Sequence, residues 1–204
     1  MFIGKYNKSV IITYLGVASA LIGVYLSLND KIKFAVICLI ITGICDLFDG
    51  KFARKCKRTN EEKLFGIEID SLADMIDFVM LPIILAYSIG LNNWYHLIIY
   101  ILYTLAAITR LGYFNINAAE NNKDNPVKYY SGLPVTYVAL ILPLVWLLSL
   151  VISTDIFQKI YMMTMTMISF LFILNVKIKK PYGIAYLIFG IVAIGVSTII
   201  LILG

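Results

Sequence analysis

The uncharged stretches of this chain come in two lengths, and the short ones constrain the fold most. Residues 9–29, 129–154, 160–176 and 181–204 are apolar runs of the length that crosses a bilayer, and residues 78–109 form a longer run broken at Gly90-Leu91-Asn92-Asn93. Phe34–Cys45 and Phe78–Gly90 fall well short of the ~20 residues needed to span the hydrocarbon. Each must borrow from a charged flank. The second helix is therefore predicted to continue through Asp46 and Asp49 to about Arg54, and the third to begin near Gly66 and carry Asp70, Asp74 and Asp77. Five carboxylates then stand at or near membrane level.

With 61% hydrophobic and 14% charged residues and a mean hydropathy of +0.89, the chain lies far from soluble globular composition. An all-α integral membrane protein of about six to eight crossings fits this length. The net charge of +5 does not point to nucleic acid, because the basic residues are scattered between apolar runs. They report topology instead. With seven crossings and a cytoplasmic N-terminus, all Lys and Arg except Lys31, Lys33 and Lys159 fall on one side, so the loops after helices 2 and 4 face the cytoplasm of a cell-membrane protein. Cys38, Cys45 and Cys56 form neither a CxxC pair nor an even set, and read as small apolar fillers. His96, beside Trp94 and Tyr95, reads as an interfacial anchor. The first apolar stretch is read as a retained helix, and residues 1–204 as a single transmembrane domain.

At 100° per residue, Asp46, Asp49, Gly50 and Ala53 fall within about 100° of one another on the second helix, with Arg54 at the edge of that stripe. Counted from Gly66, Asp70, Asp74 and Asp77 share one face of the third helix. A short connection makes these helices antiparallel neighbours, so the two acidic stripes meet. Like charges in a low-dielectric site require cations between them. Oxygen ligands without His or Cys favour Mg²⁺, Mn²⁺ or Ca²⁺ over zinc, and two ions ~3.5–4 Å apart clamp phosphoryl oxygens. Gly50, Ala53 and Gly66 leave room beside them for a flat group such as a nucleotide.

This pattern, Asp-x-x-Asp-Gly-x-x-Ala-Arg followed by Gly-x-x-x-Asp-x-x-x-Asp, resembles the signature of the CDP-alcohol phosphatidyltransferases at Asp46, Asp49, Gly50, Ala53, Arg54, Gly66, Asp70 and Asp74. Within that family the stretch Phe65–Asp74, Pro82, Arg110-Leu111 with Phe114-Asn115, and Gly132-Leu133-Pro134 look most like the phosphatidylserine synthases. The spacing from Arg54 to Gly66 is longer than the usual one, which is read as a longer cytoplasmic connection. Gly112-Tyr113 and Asp77 depart from the synthase pattern. The likeness covers about residues 10–180, with an additional C-terminal helix at about 181–203.

The resemblance implies a six-helix core, commonly a homodimer, that moves a phosphatidyl or archaetidyl group from CDP-diacylglycerol or CDP-archaeol to the hydroxyl of L-serine and releases CMP, with two Mg²⁺ or Mn²⁺ ions. Asp46, Asp49, Asp70 and Asp74 would hold the metals, and Asp74 would be the general base. Thr13, Asp46, Gly50, Ala53, Arg54 and Gly66 would hold the nucleotide. Arg110, alone in an otherwise uncharged helix, would take the serine carboxylate or pair with an acid. Asp77 would orient the ammonium or pair with Arg110. Lys51, Lys55, Lys57 and Arg58 would steer the anionic donor or simply mark topology. Rival readings are the same chemistry on glycerol 3-phosphate, inositol phosphate or inositol, and a divalent cation transporter.

Overall fold

A computed structural model describes residues 3–120, 129–179 and 184–203. The first residues of the C-terminal segment, and Lys123, Lys128 and Lys180 of the charge argument, lie outside them. Helix α1 spans Val10–Leu28 and α2 spans Ile32–Lys55, so α2 does run on through both aspartates. Arg54 and Lys55 close its last turn, where the helix dipole favours cations.

Helix α3 is Asn60–Met75 and begins a turn and a half before Gly66. The cause is a capping box: the Thr59 hydroxyl accepts the Glu62 N–H at 3.2 Å and the Glu62 carboxylate accepts the Thr59 N–H at 2.7 Å. The residues that lengthen the interval between Arg54 and Gly66 are thus mostly helical rather than loop. α3 passes through a π-turn at Ile76–Met80 into α4, Leu81–Ser88, without leaving helical dihedrals at either junction. Pro82 has no N–H for the Phe78 carbonyl four residues back. Tyr103, fully buried on the facing helix, donates its hydroxyl to that carbonyl at 2.7 Å.

The remaining elements are α5, Trp94–Glu120, β1, Tyr129–Ser131, α6, Val138–Trp146 with 3-10 turns before and after it, α7, Thr154–Ile173, β2, Lys177–Lys179, and α8, Ile184–Leu203. The β1–β2 ladder, Tyr129 opposite Lys179 and Ser131 opposite Lys177, is a small departure from the all-helical expectation. It ties the start of the α6 segment to the end of α7. Gly132 turns between ladder and helix at φ +76, where a Cβ would meet the Phe172 carbonyl oxygen at 2.7 Å.

Helices run up and down between two ends. At one end Asn7 reaches the Lys57 carbonyl and β1 pairs with β2; at the other Gln158 reaches the Ile89 carbonyl. The helices over Val10–Leu28, Trp94–Ile116 and Thr154–Ile173 are long and apolar enough to cross a membrane, and Val135–Leu150 and Ile188–Leu203 are shorter apolar segments. Their outward faces carry exposed Leu15, Ile22, Leu97, Ile101, Phe170 and Ile191, the surface a bilayer solvates. The chain is an all-α membrane protein. α1 packs along α2, α5 along α7, and α6 and α8 against α2. A Cβ on Gly43 of α2 would run into that of Ala139 on α6, so small residues set the helix separation. His96 is no lone anchor: it is buried, and its Nδ1 accepts the Asn93 N–H at 3.2 Å.

Candidate active site

The two acidic stripes meet. Asp46 and Asp49 from α2 and Asp70 from α3 each present an oxygen, and these oxygens all lie within 4.8 Å of one another. The Asp49 and Asp70 carboxylates are in hydrogen-bond contact, a distance that two anions hold only with a proton or a cation between them. Oxygen-only donors at this separation suit a hard divalent ion. On the other side of Asp49, the Thr13 hydroxyl of α1 donates to Oδ2 at 2.9 Å. Thr13, predicted as a nucleotide contact, also fixes the orientation of a carboxylate.

Asp74, one turn beyond Asp70, is buried and stands outside the three-oxygen group, with its charge felt by Asp46 and Asp70. Asp77 lies in the π-turn. Its Oδ2 is 3.2 Å from the place a Cβ on Gly16 would occupy, and its buried Oδ1 has no hydrogen-bond partner among the described residues. Asp77 therefore faces α1. Arg110 is buried on α5, with its guanidinium 5.2 Å over the Phe114 ring. It lies near enough to Asp46 and Asp74 for its charge to act on both. It also lines a cavity of about 210 Å³ with Thr109, Ser131, Gly132 and Asn175. Asn115 holds α5 to α3: Ser71 donates to its Oδ1 at 2.8 Å and its Nδ2 donates to Glu68 at 3.4 Å.

Toward the N-terminal end of α3, the small residues of the pattern lie under arginines. A Cβ on Gly50 would be 3.7 Å from Nη1 of Arg54, and one on Gly66 would be 3.7 Å from Nη1 of Arg58. From the sequence, Arg58 reads as a steering charge or a mark of topology. Beside the acids, a second cavity of about 440 Å³ runs between α2, α6 and α8. Asp46, Gly50, Lys51 and Arg54 form its polar part, and Ile40, Ile44, Leu140, Phe189, Ala193 and Ile194 its apolar part. The Lys51 ammonium sits 3.4 Å from the centre of the Tyr186 ring on α8.

The model of the CDP-alcohol phosphatidyltransferase family matches residues 6–202, which includes every residue of both acidic stripes. The chain belongs to the CDP-alcohol phosphatidyltransferase family. Over 108 residues, 50% of this chain, it is 37% identical to a CDP-diacylglycerol–serine O-phosphatidyltransferase of Saccharomyces cerevisiae, covering 38% of that protein. Over 130 residues, 63% of the chain, it is 30% identical to an archaetidylserine synthase of Methanothermobacter thermautotrophicus, covering 53% of it. A CDP-diacylglycerol–serine O-phosphatidyltransferase of Bacillus subtilis is 27% identical over 124 residues, 60% of this chain and 65% of that protein. The chain thus spans between about a third and two thirds of the length of these relatives. Phosphatidyltransferases of this family are divalent-metal enzymes, in agreement with the carboxylate cluster. Membership sets the transporter reading aside.

Proposed function

We propose that the chain transfers a phosphatidyl or archaetidyl group from a CDP-linked lipid to the hydroxyl of L-serine, releasing CMP, at the cytoplasmic face of the cell membrane. The observation that carries this reading is the convergence of Asp46, Asp49 and Asp70 on one point with buried Asp74 one helical turn away. Bound there, a pair of Mg²⁺ or Mn²⁺ ions would supply Lewis-acid stabilisation of the diphosphate. Asp46, Asp49 and Asp70 would hold them, with Asp74 completing the cluster. The chain's own part is then positioning and proton transfer.

Asp74 takes the proton from the serine hydroxyl as its oxygen attacks the lipid-bearing phosphorus; the bond to the CMP oxygen breaks and CMP leaves. A positioned base contributes about 10²–10⁴ in rate. Gly50, Ala53 and Gly66 give clearance to the nucleotide, and Arg54 meets its phosphate. The large cavity beside Asp46 has the amphipathic lining that a lipid with a charged head requires. Arg110 serves the acceptor: it lines the smaller cavity and reaches Asp74 with its charge, so a carboxylate bound to it brings its hydroxyl toward the base. Ser131 and Asn175 offer oxygens to the ammonium in that cavity, a role in which they compete with Asp77. A homodimer is proposed from the family likeness.

The test is CMP release by the detergent-solubilised chain given CDP-diacylglycerol and Mn²⁺, with and without each acceptor. Release that depends on L-serine and yields phosphatidylserine supports the reading. Release at the same rate with glycerol 3-phosphate or inositol, or without any acceptor, rejects serine.

A further inference from the structure

Arg58 belongs neither to the signature nor to the reaction proposed above, yet the connection that carries it is tied down on both sides. It lies in the four-residue connection between α2 and α3, whose exit is fixed by the Thr59–Glu62 capping box. The stretch before α1 lies across the same connection. Asn7 donates to the Lys57 carbonyl at 3.2 Å, Lys5 meets Glu61 at 2.9 Å, and the Tyr6 ring packs edge-on against Phe65 at 5.3 Å. Between these ties the Arg58 guanidinium lies over Gly66, on the side of α3 that presents Asp70 one turn later. Its Nε is shut off from water and has no hydrogen-bond partner among the described residues. A sequestered guanidinium N–H without an acceptor is unfavourable; an anion above Gly66 would meet the Nη1 edge of this guanidinium.

Arg54 stands in the same relation to Gly50 on the opposing helix. Two planar donors therefore flank the cytosolic mouth of the acidic face, one from each wall. A guanidinium matches a phosphate with two parallel hydrogen bonds, which an ammonium cannot do. We infer that Arg58 is a second arginine contact to the nucleotide phosphate of the donor, opposite Arg54. The inference rests on the proposed reading that the nucleotide lies over Gly50 and Gly66.

The test is titration of the purified full chain, in detergent with Mn²⁺, with CMP and separately with cytidine. R58Q should weaken CMP about tenfold, the effect of losing one charge-assisted hydrogen bond, with a much smaller change for cytidine and an unaltered melting temperature without nucleotide. Wild-type CMP affinity in R58Q overturns the inference, as does an equal loss for CMP and cytidine, which assigns Arg58 to the base or sugar. If R58Q melts early, R58K carries the test: it keeps the charge without the fork, and CMP affinity equal to wild type overturns the claim. Absence of CMP binding by the wild-type chain defeats the proposed function itself, and the inference with it.

Discussion

Replacing Thr13 by Val removes one hydroxyl and keeps the side-chain shape, so it isolates the 2.9 Å hydrogen bond from Thr13 to Oδ2 of Asp49. That bond joins α1 to a carboxylate that touches Asp70 and shares the triad with Asp46. A hydrogen bond to a charged acceptor is worth about 1.5–3 kcal/mol, and partial exposure of this pair places it toward the lower figure. About 1.4 kcal/mol corresponds to tenfold in an equilibrium constant, in line with the ~10–100-fold loss of metal affinity when a ligand's orienting partner is removed. T13V should therefore raise the Mn²⁺ concentration giving half-maximal CMP release about tenfold. The maximal rate should recover in excess Mn²⁺, and T13S, which restores the hydroxyl, should restore the midpoint. An unchanged Mn²⁺ midpoint in T13V refutes this reasoning. A raised KM for the CDP-lipid at saturating Mn²⁺, with the metal midpoint intact, returns Thr13 to the nucleotide.

D74N should lower turnover by about 10²–10⁴ or more while CMP and Mn²⁺ still bind; near-normal turnover removes Asp74 as the base. Chelation with EDTA should abolish CMP release, with Mg²⁺ or Mn²⁺ restoring it; activity that survives exhaustive chelation counts against the carboxylate triad as a metal site. Y103F strands the Phe78 carbonyl opposite Pro82 in a buried setting and should cost about 1–3 kcal/mol, seen as an earlier thermal melt in detergent, whereas an unchanged melt shows that the π-turn satisfies itself.

The length argument carried most of the architecture, because a bilayer leaves an apolar run few options. Phe34–Cys45 is too short to span, so α2 had to include Asp46 and Asp49, and it does. A constant advance of 100° per residue then brought Asp46, Asp49 and Asp70 together without knowledge of any contact. Beyond Met75 the wide turn at Ile76–Met80 brings Asp77 against α1 at Gly16, with its charge still felt by Asp46, Asp49, Asp70 and Asp74. Nothing in the local sequence announces such a turn except Pro82, whose missing N–H favours it. The start of α3 was legible and was missed: Thr59-x-x-Glu62 is a capping-box pattern. A lone charge in an apolar helix made Arg110 legible as a partner of the acids, but not which acids it faces, since that depends on how α5 is rotated against α3, which Ser71, Asn115 and Glu68 set from a distance in sequence.

Helix α1 has no chemistry assigned from the sequence beyond Thr13, and the structure makes it a third wall of the site. Thr13, Gly16, Ala20 and Gly23 recur at helical spacing and so share a face. Thr13 holds Asp49. Gly16 gives Asp77 the space a larger residue would take, and receives the Thr42 hydroxyl on its carbonyl at 3.2 Å. Ala20 is fully buried, and a Cβ on Gly23 would stand 3.0 Å from both Cys38 on α2 and Leu81 on α4. Close approach along this line seats α1 against α2 and α4 together. The carboxylates of α2 and α3 repel one another without a cation, so their helices cannot be held at this distance by the acidic faces themselves. The small-residue face of α1, packed against α2 and α4, holds these elements together from one side of the acidic cluster.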